Sequence, residues 1–158
     1  MGNGQGNQEE LVLEAIMLGN DSELDQILSK NKDLVNLPLM NNNTNPMCRS
    51  AYLGKMNILD TLLKHGAKID LKCGGKGYTP AMWAAWRNHL EIVKFLKEHG
   101  ADFKQISNQG DNNILDICVI RMSYETALYV KKNTDLELKP AEYFDKKTAV
   151  EYDVELFL

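Results

Sequence analysis

The chain has 158 residues, is 44% hydrophobic and carries a formal net charge of −4 at pH 7. That length supports one domain with its own apolar core. An acidic balance without a basic stripe and stacking aromatics argues against nucleic-acid binding. No apolar run reaches the length of a membrane span or signal-peptide core, so an intracellular, cytoplasmic protein is expected.

Residues 1–8, MGNGQGNQ, are polar and glycine-rich and are expected to form a disordered tail ahead of a domain spanning 9–158. Gly2 would be exposed by loss of Met1, but Gly6 stands where an acylation signal requires Ser or Thr. From residue 9 to about 40 the pattern predicts a helix pair. Ala15 occupies a small-residue slot, Gly19 a break, and Leu24, Ile27 and Leu28 the inner face of the second helix. Glu9, Glu10 and Glu14 near the first helix start favour its dipole and keep an outer surface wet, as the end of a stack requires.

A second pair is predicted over 41–74 and a third over 75–107. In the third, Thr79 caps a helix and Pro80 suits its first turn. Ala81, Ala84 and Ala85 give that helix a small-residue face, and Asn88 ends it. Leu90, Ile92, Val93, Phe95 and Leu96 line the inside of the next helix, which stops at Gly100. The segment from Asn45 to Asp70 aligns with Thr79 to Lys104 without gaps. Pro46 falls under Pro80, Ala51 under Ala85, Gly54 under Asn88, Ile58 under Ile92 and Gly66 under Gly100. Two short antiparallel helices cannot bury their own apolar faces, so such a unit needs copies of itself.

The 34-residue spacing of Pro46 and Pro80, with Thr79-Pro80, Ala84-Ala85, the HLEIVKFL run and HGAD, resembles the ankyrin-repeat family, whose period is roughly 33 residues. The resemblance implies an all-α solenoid of stacked helix-turn-helix units with short β-hairpin-like tips. A fourth unit is expected over 108–137, with Gly110 under Gly77, Ile117-Cys118 under Ala84-Ala85 and Arg121 under Asn88. Residues 138–158 are expected to form a cap or partial fifth repeat, with a helix starting near Lys147-Thr148. The apolar ending Leu156-Phe157-Leu158 suggests a piece of a longer protein. Met82, Cys48 and Leu115 stand where the family's histidine would bond the threonine of Thr-Pro, so the stack is expected to lean on apolar contacts.

Three scattered cysteines, Cys48, Cys73 and Cys118, show no metal-ligand spacing and suit a reducing compartment. Cys48 and Cys118 read as core residues and Cys73 as an exposed thiol on a hairpin tip. His65, His89 and His99 fall at ordinary positions of the repeat, beside no nucleophile motif, so no enzyme activity and no cofactor is expected. Gly74-Gly75-Lys76-Gly77 lacks the rest of a phosphate-binding loop and reads as a tip lengthened by one residue.

The chain therefore points to a surface. Residues 41–107 hold ten Lys and Arg against five Asp and Glu, whereas both ends are acidic. The resemblance implies that hairpin tips and inner helix faces line a groove for another protein. Carried over by position, the groove slots are Arg49, Tyr52 and Leu53 in the second repeat and Trp83, Trp86 and Arg87 in the third, with Lys76 and Tyr78 on the tip. In the fourth they are Asp116, Val119 and Ile120, with Asp111 on the tip. Trp, Tyr and Arg dominate interface energetics. The expected partner is a protein, its bound segment an acidic peptide or loop, held by a monomer; the competing reading is that the rings only pack between helices.

Overall fold

A computed structural model describes residues 4–39 and 43–139. Eight α-helices run in order among them: α1 (Gly4–Leu18), α2 (Asp21–Lys30), α3 (Pro46–Leu53), α4 (Met56–Lys64), α5 (Pro80–Trp86), α6 (Leu90–Glu98), α7 (Ile114–Ile120) and α8 (Tyr124–Asn133). A 3-10 turn, Lys32–Asn36, follows α2. The inner helices α1, α3, α5 and α7 pack each against the next, and α2 meets α4 as α6 meets α8. Two layers of helices therefore share one continuous core, with Ala15, Ala51, Ala84 and Ala85 fully buried where the inner layer closes up. The tips carry only isolated antiparallel bridges, Leu39 with Thr44 and Cys73 with Tyr78. The fold is all-α, as expected.

The inner helices α3, α5 and α7 each start on a side-chain cap. Asn45, Thr79 and Asn113 accept from the backbone N–H of Cys48, Met82 and Asp116, occupying a donor the first turn cannot satisfy itself. Each inner helix ends in a left-handed residue: Gly19, Gly54, Asn88 and Met122 all have φ between 57° and 72°. Asn43, Gly77 and Asp111 are left-handed on successive tips. Both series from the second repeat onward step by 34 residues, into the fourth repeat as well. The glycine-rich tip at 74–77 is thus no longer than its neighbours, and the fourth repeat sits one residue later than glycine matching suggests. Asn88 corresponds to Met122, not to Arg121.

Repeats are joined by polar contacts that the sequence pattern did not announce. The Asn36 side chain accepts from Lys68 N–H, and the Asp70 carboxylate accepts from Asp102 N–H. His89 donates from Nε2 to the Tyr52 carbonyl at 3.1 Å, and Ser123 Oγ donates to the Ala85 carbonyl at 3.0 Å. The tips are tied as well, Gly74 N–H to Asn43 O and Asn108 N–H to Lys76 O, both at 2.9 Å. The stack is therefore not held by apolar contact alone.

The N-terminal expectation needs correction. Helix α1 begins at Gly4, inside the stretch read as a tail, and Gln8 accepts from the Asn31 side chain at 2.9 Å. Glu9 and Glu10 consequently lie beyond the first turn, where their effect on the helix dipole has faded. At the other end Leu136 and Leu138 pack on the core, while the expected cap beyond Lys139 lies outside the described residues.

Candidate functional site

Where the second and third repeats meet, four rings gather. Helix α3 presents Tyr52, α5 presents Trp83 and Trp86, and the tip between them delivers Tyr78. Trp83 sits at the centre, 5.6 Å from Tyr52, 5.1 Å from Tyr78 and 6.3 Å from Trp86, all edge-on or tilted. Such geometries place the positive ring edge on the negative face of a neighbour. Tyr52, Trp83 and Trp86 are half-buried, so each keeps an accessible edge or face.

Cations flank the rings. The Lys76 ammonium lies 4.1 Å from the Trp86 ring centre, the Arg121 guanidinium 4.4 Å from the same ring, and Arg87 4.9 Å from Tyr52. All three cationic residues are exposed. Between α3, the tip and α5 lies a hollow of about 340 Å³, lined among others by Arg49, Tyr52, Lys76, Trp83 and Trp86. Arg49 is half-buried there, and its Nε has no hydrogen-bond partner among the described residues.

The structure brings together Arg49, Tyr52, Lys76, Trp83, Trp86 and Arg87. It buries three residues of the expected strip, Tyr78, Asp116 and Val119. Tyr78 is 2% exposed, its ring packed under both tryptophans; burial also pushes its phenol upward in pKa. It supports the tryptophan rings from behind and is not part of the contact surface. Asp116 is fully buried and accepts from the N–H groups of Asn113 and Lys139. Burial raises its pKa, while those two backbone donors oppose the rise. The one-residue register difference is the reason: Asp116 corresponds to Met82, an inward position that is also buried. Val119 is buried for the same reason and Ile120 half-buried. Asp111 is exposed on its tip.

Arg121 is the groove residue that sequence reasoning missed, since the shifted alignment placed it in the turn. It corresponds to Arg87, and its Nε donates to the Trp86 carbonyl at 3.3 Å. A constant 34-residue step from Pro80 would have found it.

Cys73 is also misplaced by the sequence reading: it is 5% exposed and lines the same hollow. Trp83 Nε1 donates to its sulfur at 3.2 Å, and Thr44 Oγ1 lies 3.6 Å away. A hydrogen bond from Cys48, then those from Thr44, Asn45 N–H and Trp83, outweigh burial and lower its pKa to about 7. Cys48 is 1% exposed, and its thiol faces the carbonyls of Leu71 and Tyr78 at 3.5 and 3.7 Å. Surrounded by acceptors, it keeps its proton; burial raises its pKa well above the ordinary value. Cys118, in the core as expected, is pushed up to about 12 by burial.

A layered helical solenoid with tips and inner helices around one cationic, aromatic hollow defines a repeat protein with a groove. The sequence matches the family described as ankyrin repeats (3 copies) over residues 7–107 and 50–139, and the chain belongs to that family. It is 31% identical over 74 residues to the human ankyrin repeat and SOCS box protein 6, covering 47% of this chain and 18% of that protein. It is 37% identical over 70 residues to the human NAD-capped RNA hydrolase NUDT12, covering 44% and 15%. To palmitoyltransferase AKR1 of Lachancea kluyveri it is 36% identical over 63 residues, covering 40% and 8%. The chain thus spans less than a fifth of the length of each of these relatives. Ankyrin repeats are in general protein-interaction modules. No described helix is long and apolar enough to cross a membrane.

Proposed function

We propose that the chain is a non-catalytic, monomeric, intracellular binding module whose groove holds an acidic peptide or loop of another protein. The observation that carries this reading is the hollow bordered by Tyr52, Trp83 and Trp86 and rimmed by Lys76, Arg87 and Arg121. An apolar partner side chain enters against the rings, displacing water from half-covered aromatic surface. Acidic residues on either side meet the three exposed cations, and the unpartnered Arg49 Nε gains an acceptor. The cations steer and select; the rings supply most of the affinity.

A display library of random peptides panned on the whole chain tests this. Enriched peptides should pair an apolar residue with Asp or Glu. Trp86→Ala should weaken their binding at least about thirtyfold, the equivalent of about 2 kcal/mol, at unchanged helicity. Enrichment without acidic residues, or affinity that survives Trp86→Ala, would reject the reading. A second reading puts the same groove against another domain of a longer polypeptide, supported by the greater length of the relatives, two of which bear enzyme names. A transcript extending beyond codon 158 in the source genome, with a domain that binds this groove, distinguishes it.

A further inference from the structure

The second and third repeats enclose two sulfurs in one hollow, in unequal surroundings. Cys73 Sγ receives donors: the Trp83 indole N–H at 3.2 Å, with the Thr44 hydroxyl within reach at 3.6 Å. Cys48 Sγ faces acceptors, the Leu71 and Tyr78 carbonyls, and lines the same hollow as Cys73. Donors stabilise a thiolate and acceptors hold a thiol, so negative charge settles on Cys73 and the proton on Cys48. Arg49 and Lys76 line the same hollow, and the Arg49 Nε–H is buried without an acceptor. An unpaired buried donor is costly, and here it borders space that a small oxygen-bearing molecule can fill. The hollow is the route by which a small molecule reaches this covered sulfur.

We propose that Cys73 is a peroxide-reactive thiol and Cys48 its resolving partner, so that oxidation ties the tip between repeats to helix α3 through a disulfide. The Cys73 thiolate attacks one oxygen of hydrogen peroxide; the S–O bond forms, the O–O bond breaks, and hydroxide leaves. The Arg49 Nε–H is placed to donate to that departing oxygen. The Cys48 sulfur then attacks the sulfenic sulfur of Cys73. The S–S bond forms, the S–O bond breaks, and the hydroxyl leaves as water with the Cys48 proton. Peroxide is reduced to hydroxide and water while the two thiols lose two electrons. Cys118, buried in the core away from this hollow, is a built-in control.

The test treats the whole chain with one equivalent of hydrogen peroxide and maps tryptic peptides without reduction. The three cysteines fall in three different peptides. The expected product links the Cys48 and Cys73 peptides with loss of two hydrogens, leaves Cys118 free, and changes the emission of Trp83, whose N–H loses its thiolate acceptor. In Cys48→Ser, sulfenic acid should accumulate on Cys73 and be trapped by dimedone; in Cys73→Ser, Cys48 should stay reduced. Cys118 oxidised as fast as Cys73, or no Cys48–Cys73 link in the wild type, would overturn the proposal. Should Cys48→Ser not fold, competitive labelling of the native wild type decides. Cys73 must be modified at least about tenfold faster than Cys118, and equal rates reject it.

Discussion

Replacing Trp83 with alanine perturbs the joint between the second and third repeats more than any other single change in the groove. Its ring meets Tyr52 at 5.6 Å, Tyr78 at 5.1 Å and Trp86 at 6.3 Å, and its N–H donates to Cys73. Three aromatic pairs at about 0.5–1.5 kcal/mol each give about 1.5–4.5 kcal/mol, and truncation of tryptophan in a packed site costs about 3–5 kcal/mol in all. The ring is partly exposed to the hollow already, which favours the lower part, about 3 kcal/mol. At about 2–4 °C per kcal/mol for a domain of this size, Tm should fall by about 6–12 °C. Urea unfolding followed by circular dichroism at 222 nm measures the difference at 25 °C, with Trp86→Ala as the comparison. Trp86 has cations on its faces and fewer ring neighbours, so its loss should cost less stability. A Trp83→Ala penalty below about 1 kcal/mol, or one no larger than that of Trp86→Ala, would refute the claim that Trp83 is the joint and Trp86 the contact.

Asp116→Ala should destabilise the fourth repeat by about 2 kcal/mol, because the N–H groups of Asn113 and Lys139 lose a buried acceptor; urea unfolding reads it. Gly77→Ala should cost about 2 kcal/mol or more, since φ is +62° there and a Cβ would clash with the Asn108 side chain, as a thermal melt will show. Alkylation of Cys73 by iodoacetamide should rise with pH through about 7, its thiolate facing Cys48, Arg49 and Lys76, while Cys118, with a pKa of about 12, stays unlabelled until the protein unfolds.

The repeating unit was legible because Pro46 and Pro80 open helices with capping residues just before them, and the inner faces keep helical spacing. The fourth repeat was harder. It has no proline at its helix start, and Gly110 drew the alignment to itself, whereas the left-handed residue equivalent to Gly77 is Asp111. Aspartate tolerates that conformation, so glycine identity is a poorer guide than the conformation a position requires. The slip moved the inferred groove inward by one residue, onto buried Asp116 and Val119 and off Arg121. Tyr78 and Cys73 failed differently. A tip residue is ordinarily exposed, but here α3 and the indoles of α5 cover the tip, and covering of that kind comes from three-dimensional packing. The ladder of Asn36 and Asp70 was present as two short polar acceptors 34 residues apart, a signal visible once the period is imposed on polar as well as apolar positions.

The chain's two tryptophans give two indole N–H signals, both from the groove, and this makes a direct readout of where a partner binds. In a proton–nitrogen correlation spectrum of the whole chain titrated with an enriched acidic peptide, the Trp86 indole signal should shift, with the backbone signals of Tyr52, Lys76 and Arg121. Shifts confined to the opposite face, at Lys64 of α4 and Lys94 of α6, with both indole signals unmoved, would contradict the account.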